Sequence, residues 1–265
     1  MSEINKKINI PIYIINLKHD IEKKEYMKKL CAKYNLYPDF IDAVDGRLLD
    51  KEDINEVYSG EKALHTFNRE LSRGEIGCAL SHINIYKKMI NENITEAIIF
   101  EDDINFDKDL LEILHKVNDF PNNWNLILLG HHSCMRRNQE THYSFWEKKN
   151  LDKKYTIARP SEDACGTYGY ILKLEAAKHL LSRLETIDKP IDHYTGIDEE
   201  LNLYIVNPAI IKINDFLSDT YHSMEDRKKL QYSVQKKQKH IIPLNMRRKY
   251  IGLKRFFKKR RKYDC

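Results

Sequence analysis

Apolar residues in this chain come in short runs separated by charged stretches of helical period. Ile8 to Leu17 is a nearly continuous, isoleucine-rich run broken by Pro11, which predicts a strand buried on both faces. Ile21 to Tyr34 predicts a helix, with Ile21, Met27, Leu30 and Cys31 apolar among many lysines. Phe40 to Val44 predicts the next strand, stopped by Asp45-Gly46. From Gly74-Glu75 a second helix places Ile76, Ala79, Leu80, Ile83, Tyr86 and Ile90 at helical spacing. Ala97 to Phe100 predicts a buried strand that runs straight into Glu101-Asp102-Asp103. Beyond it, Leu110 to Val117 reads as helix, Asn125 to Leu129 and Gly166 to Leu172 as strands, Glu175 to Leu184 as helix, and Tyr204 to Ile213 as a strand broken by Pro208. Residues 131–160 show no clear period and predict a long loop over the sheet edge. The alternation as a whole predicts an α/β fold, a parallel sheet with helices on both sides built by right-handed crossovers.

Composition narrows this picture. The 265 residues are 42% apolar and 32% charged, enough for one large domain or one domain with an appendage. No window approaches 18 consecutive apolar residues, and Met1 to Asn9 is polar, so neither a membrane span nor a secretion signal is expected. The five cysteines, Cys31, Cys78, Cys134, Cys165 and Cys265, are scattered and form no C-x-x-C pair. That spacing argues against a disulfide framework or a zinc site and for a reducing cytoplasm.

The net charge of +5 is unevenly spread: residues 245–265 hold ten Lys and Arg against Asp264, or +9, leaving −4 for residues 1–244. The chain therefore divides into a catalytic body, 1–244, and a basic tail, 245–265. In the tail Met246, Tyr250, Leu253 and Phe257 share one helical stripe flanked by cations. This predicts a basic amphipathic helix for an anionic membrane, peripheral at the inner face of the cytoplasmic membrane. Nucleic acid is the competing polyanion, but the tail aromatics fall at helical spacing and the body carries no nucleic-acid module.

Three carboxylates at the end of an apolar strand need a compensating cation, and Glu101 and Asp103 share one face while Asp102 takes the other. In open α/β sheets the ligand crevice lies beyond such strand ends. Oxygen-only ligands favour Mg²⁺ or Mn²⁺. The bland alternative is a solvated turn of helix-capping acids before Asp107. In Leu71 to His82, two glycines sit near a helix start, suited either to phosphate or to tight helix packing around Cys78 and His82. Asp192 in Pro190-Ile191-Asp192-His193 is a candidate base or a helix cap, with Asp198 nearby.

Taken in order, these blocks resemble glycosyltransferase family 25, the enzymes that elaborate bacterial lipooligosaccharide. The resemblance runs through Ile14-Ile15-Asn16-Leu17, Asp42-Ala43-Val44-Asp45-Gly46 and Gly74 to His82. It continues through Ile98 to Asp103, Gly166 to Tyr170, Ala176-Ala177 and Pro190-Ile191-Asp192. It implies a GT-A fold with a Rossmann-like nucleotide-binding sheet, and inverting transfer of a hexose, commonly galactose from UDP-galactose. The acceptor would be a lipooligosaccharide or other surface glycan. Carried over by position, Asp103 is the metal ligand with Glu101 as helper. Asn16 with Leu17, Asp45 with Gly46, and Asp102 lie near the nucleotide, and Ser81 and His82 line the donor site. Many relatives carry an arginine where this chain has Lys23 or Lys24, so a point charge replaces a bidentate donor.

The chemistry follows from residue types. A leaving diphosphate needs a Lewis acid, here held by Asp103, with His222 as a further ligand or a plain surface histidine. Inversion needs a carboxylate opposite the leaving group to take the acceptor's proton, Asp192 or else Asp198. A metal-dependent phosphohydrolase or nucleotidyltransferase would also use strand-end carboxylates, but the chain has no P-loop or glycine-rich nucleotidyl loop.

Overall fold

The computed structural model describes residues 8–134 and 139–214. His222 and the basic tail 245–265, with the boundary drawn before it, lie outside them.

The first half runs β1 (Ile12–Asn16), α1 (Ile21–Lys33), β2 (Asp39–Asp42), α2 (Lys51–Val57), α3 (Gly60–Thr66), α4 (Arg73–Asn91), β3 (Glu96–Glu101), β4 (Ile104–Asn105), α5 (Asp109–His115) and β5 (Leu126–Leu128). The second half continues with β6 (His132–Ser133), β7 (Tyr143–Asn150), β8 (Thr156–Pro160), β9 (Ala164–Cys165), β10 (Gly169–Lys173), α6 (Leu174–Arg183), α7 (Ile191–Thr195), β11 (Leu203–Asn207) and β12 (Lys212–Ile213).

Eight strands form one sheet in the order β2-β1-β3-β10-β5-β11-β8-β7. Its apolar strands feed both faces, as their continuous runs predicted. Tyr13, Ile15, Ile99, Tyr170 and Leu172 pack on one side with α4 and α6. Ile12, Ile14, Ile98, Phe100 and Ile171 pack on the other with Met27 and Cys31 of α1 and with α5. Among the described residues no helix is long and apolar enough to cross a membrane.

Three expectations need correction. The sheet is mixed: β1 pairs in parallel with β2 and β3, but β10 enters between β3 and β5 antiparallel to both. The excursion from β5 through β6–β9 has no crossover helix, so β10 enters the sheet with the opposite direction. Nor is 131–160 a loop, because β7 and β8 form an antiparallel edge pair. A register shift between Tyr143 and Lys148 interrupts the period-2 pattern, and the exposed edge strand is largely polar, which hides it from a hydrophobicity reading. Finally, Cys134 and Cys165, 31 residues apart, form a disulfide. Pairing of β6 with β9 brings them together, a juxtaposition that sequence spacing does not carry. The sequence pattern predicts no helix at α2 or α3; α2 turns only Ile54 and Val57 toward the core and fully buries neither, too short a stripe to read.

Candidate functional site

Because β1, β2 and β3 are parallel neighbours, with Asn16 beside Asp42 and Ile15 beside Glu101, their carboxyl ends open on one side of the sheet. The loops after these ends carry the polar residues of the site. Asn16 is buried, and its amide donates to the Asp20 carbonyl (3.2 Å) and to Asp102 Oδ2 (2.7 Å). Lys23, on the first turn of α1 behind its cap Asp20, is buried with its ammonium 3.4 Å from Asp20 and 3.8 Å from Asp102. Lys23 therefore faces the acids, and Asp102 is anchored from two sides. Leu17 closes the same turn, its carbonyl accepting from Asp20 N (2.8 Å).

Glu101 is the last residue of β3, and Asp102 and Asp103 form the turn that follows it. Glu101 feels the charge of Asp192, which α7 presents in its first turn after Pro190 while Ile191 and Tyr194 anchor that turn in the core. Burial first, then the charges of Asp102 and Asp192, push the Glu101 carboxyl up to about 7. Burial likewise lifts Asp102 to about 6 against the opposing pull of Lys23 and Asn16. Asp192 Oδ1 is buried without a hydrogen bond. Cys78, on α4, sits within the fields of Glu101, Asp192 and Asp103, and burial pushes its thiol well up. Glu101, Asp103 and Asp192 thus all lie within electrostatic range of Cys78. Asp198 goes elsewhere, bonded to His179 of α6 (2.8 Å) and near Arg183 (3.9 Å).

Ser81 and His82 are buried beneath this cluster. Ser81 Oγ accepts from Val44 N (2.9 Å) and donates to the Gly77 carbonyl (2.7 Å), tying the β2 loop to α4. Gly46 and Gly77 face each other in the same contact. A Cβ on Gly77 would lie 2.5 Å from Val44 O, and one on Gly46 1.8 Å from Arg73 O, so both serve close packing. The start of α4 is closed by a Ser72–Glu75 capping box, and Arg69 grips Glu75 with two bonds (2.9 and 2.6 Å). Asp45, ahead of Gly46, is partly exposed and bonded by Arg47, whose guanidinium also reaches His19 (3.3 Å).

His82 Nδ1 bonds Tyr170 OH (2.8 Å), which bonds Tyr86 OH (2.9 Å). Its Nε2 lies 3.7 Å from Glu101 Oε1, beyond hydrogen-bond reach. Burial drops the imidazole to about 3, so it is neutral at pH 7. Sequence reasoning missed Tyr170 and Cys78 as groups in the field of Glu101, and Tyr86 behind Tyr170. The small residues of Gly74 to His82 were the available signal for Cys78, since that helix had to approach another backbone closely.

The model of a family described as glycosyltransferase family 25 (LPS biosynthesis protein) matches residues 9–195. Procollagen galactosyltransferase 1-B of Xenopus laevis is 30% identical over 210 residues, 70% of this chain and 30% of that one. A putative glycosyltransferase, R655, of Acanthamoeba polyphaga mimivirus is 33% identical over 179 residues, 65% of this chain and 52% of that one. The chain thus spans under a third of the procollagen enzyme's length. A solved glycosyltransferase involved in glycosylating the major capsid of PBCV-1 aligns over 83% of this chain and 98% of its own, with a TM-score of 0.41 at 11% identity.

Proposed function

The chain belongs to glycosyltransferase family 25, and from that premise we propose that it is an inverting GT-A glycosyltransferase. It moves a hexose, galactose from UDP-galactose, onto a hydroxyl of a lipooligosaccharide or similar surface glycan. The observation that supports this reading is that the charge of Asp192, from α7, acts on Glu101 at the end of β3.

The acids fit a hard divalent cation. They are oxygen donors crowded until burial and mutual repulsion raise Glu101 and Asp102 toward neutrality, a state that a cation relieves. Asp103, with Glu101, would hold Mn²⁺ or Mg²⁺, which supplies Lewis-acid stabilisation of the leaving diphosphate. Asp102, fixed by Asn16 and Lys23, shapes the nucleotide side of the site. Asp192 takes the proton of the attacking hydroxyl on the face opposite the diphosphate, which inverts the anomeric centre. A polar pocket of about 680 Å³, lined by Thr141, His142, Tyr143, Ser161 and Asn207 among others, suits a hydroxyl-rich acceptor. The basic segment 245–265 holds the protein on anionic lipid at the inner face of the cytoplasmic membrane, beside a lipid-linked acceptor.

The test is a thermal-shift panel of nucleotide sugars with Mn²⁺, followed by measurement of released nucleotide. A donor at 100 times its Kd adds about 2.7 kcal/mol, or roughly 5–10 °C in Tm. Stabilisation by no nucleotide sugar, with no nucleotide released, overturns the reading.

A further inference from the structure

The proposed base is followed directly by His193, whose ring the mechanism above does not use. The imidazole lies among the sulfurs of Cys134 and Cys165, with one ring nitrogen and the two sulfurs all within 4.8 Å of one another. These atoms come from the residue just after β6, from β9 and from α7. β6 pairs with β9 through His132–Cys165 and Ser133–Ala164, and Cys134 N donates to the Asp163 carbonyl (3.2 Å). β9 lies flush on α7: Ala164 N donates to Gly196 O (3.2 Å), and a Cβ on Gly196 would stand 1.4 Å from Ala164 O. The His193 ring is held edge-on against Phe67, centroids 4.8 Å apart. The cluster is therefore built by backbone pairing and close packing as well as by the disulfide itself.

We propose that Cys134, Cys165 and His193 form a redox-gated site for a Zn²⁺-class ion, closed as the disulfide and open as the dithiol. Two thiolates and an imidazole are the soft and borderline donors that select such an ion, and three protein ligands leave a fourth position open. A dithiol reductant opens the site. Two electrons enter and break the S–S bond, the two sulfurs leave as thiols, and the reductant becomes a disulfide. Binding the ion then releases the two thiol protons. A reducing cytoplasm keeps the pair in the open form. The ion ties α7 to the β6–β9 pair through His193, one residue from Asp192, whereas the disulfide leaves His193 outside the link. The donor chemistry also separates this site from the all-oxygen cluster at Glu101 and Asp103, which takes hard cations. A second group, Cys78, His82 and Glu101, has comparable spacing. There, however, Glu101 belongs to the oxygen cluster, and only one sulfur is offered.

The site does not depend on the glycosyltransferase reading, and its test is read without turnover. The full chain, reduced with a phosphine and then freed of it without air, is titrated with Co²⁺ while the thiolate-to-cobalt charge-transfer band is recorded. The band is expected in the reduced chain and absent from the oxidised one, and Zn²⁺ displaces it. Cys134→Ser and Cys165→Ser abolish it, His193→Ala weakens Co²⁺ binding by about tenfold or more, and Cys78→Ser leaves it intact. Without any substitution, Zn²⁺ should slow alkylation of Cys134 and Cys165, read by mass spectrometry, and not that of Cys31. No band from the reduced chain, an equal band from the oxidised chain, or a band that survives both serine substitutions would overturn the site. So would loss of the circular-dichroism signal on reduction alone.

Discussion

Asp192→Asn separates chemistry from structure because the exchange keeps shape and removes only charge and basicity. The carboxylate makes no hydrogen bond through its buried Oδ1, and its charge raises the neighbouring Glu101. The amide therefore breaks no hydrogen bond at Oδ1 and relieves a repulsion. Tm should hold or rise, and the Glu101 carboxyl should fall from about 7 toward its ordinary value. Turnover should fall by the share that a positioned base contributes, about 10²–10⁴-fold, equivalent to about 2.7–5.4 kcal/mol of barrier. Donor affinity, which does not need the base, should stay within about threefold of the parent, so kcat falls without a matching loss of binding. The assay pairs nucleotide release under saturating donor with calorimetric donor titration. Turnover within about tenfold of the parent would refute the assignment of the base. Loss of donor binding with lowered Tm would instead make Asp192 a structural residue.

Asp103→Ala should nearly abolish divalent-dependent transfer with little change in Tm, and full turnover of this variant in chelator would remove the metal assignment. Glu101→Gln should gain stability over the parent as pH rises, in metal-free thermal melts. Glu101 titrates at about 7 folded and at about 4.3 unfolded, so its contribution is fully present below the unfolded value and lost as pH climbs through 7. His82 and His131, lowered by burial to about 3 and 4, act in the opposite sense below about 6.5 but are common to both chains. A Tm difference between the two proteins that does not vary from pH 5 to 8 would contradict the buried acid cluster. Gly77→Ala should cost about 1–3 kcal/mol by overpacking, since its Cβ would meet Val44 O at 2.5 Å; denaturant melts indistinguishable from the parent would show that the β2 loop and α4 are not in that contact. Removing residues 245–265 should release the protein from anionic vesicles while sparing transfer to a soluble acceptor, and co-sedimentation at rising salt decides it.

Local pattern was enough for much of this protein. Continuous isoleucine runs marked β1 and β3 as strands buried on both faces, because only a sheet covered on both sides can hide every side chain of a strand. Helical spacing marked α1 and α4, and the acids that close an apolar run marked the carboxyl end of β3. Period 2 and period 3.6 are properties of neighbouring residues, so one chain displays them unaided. What lay between distant residues was decided only on folding. The antiparallel entry of β10, the Cys134–Cys165 pair, the Tyr86–Tyr170–His82 chain and the meeting of Asp192 with Glu101 join residues from 31 to 91 positions apart. No local period encodes such meetings. Nor does residue type separate Asp192 from Asp198, which are six positions apart: packing of Ile191 and Tyr194 turns one toward the acids, while His179 holds the other on α6.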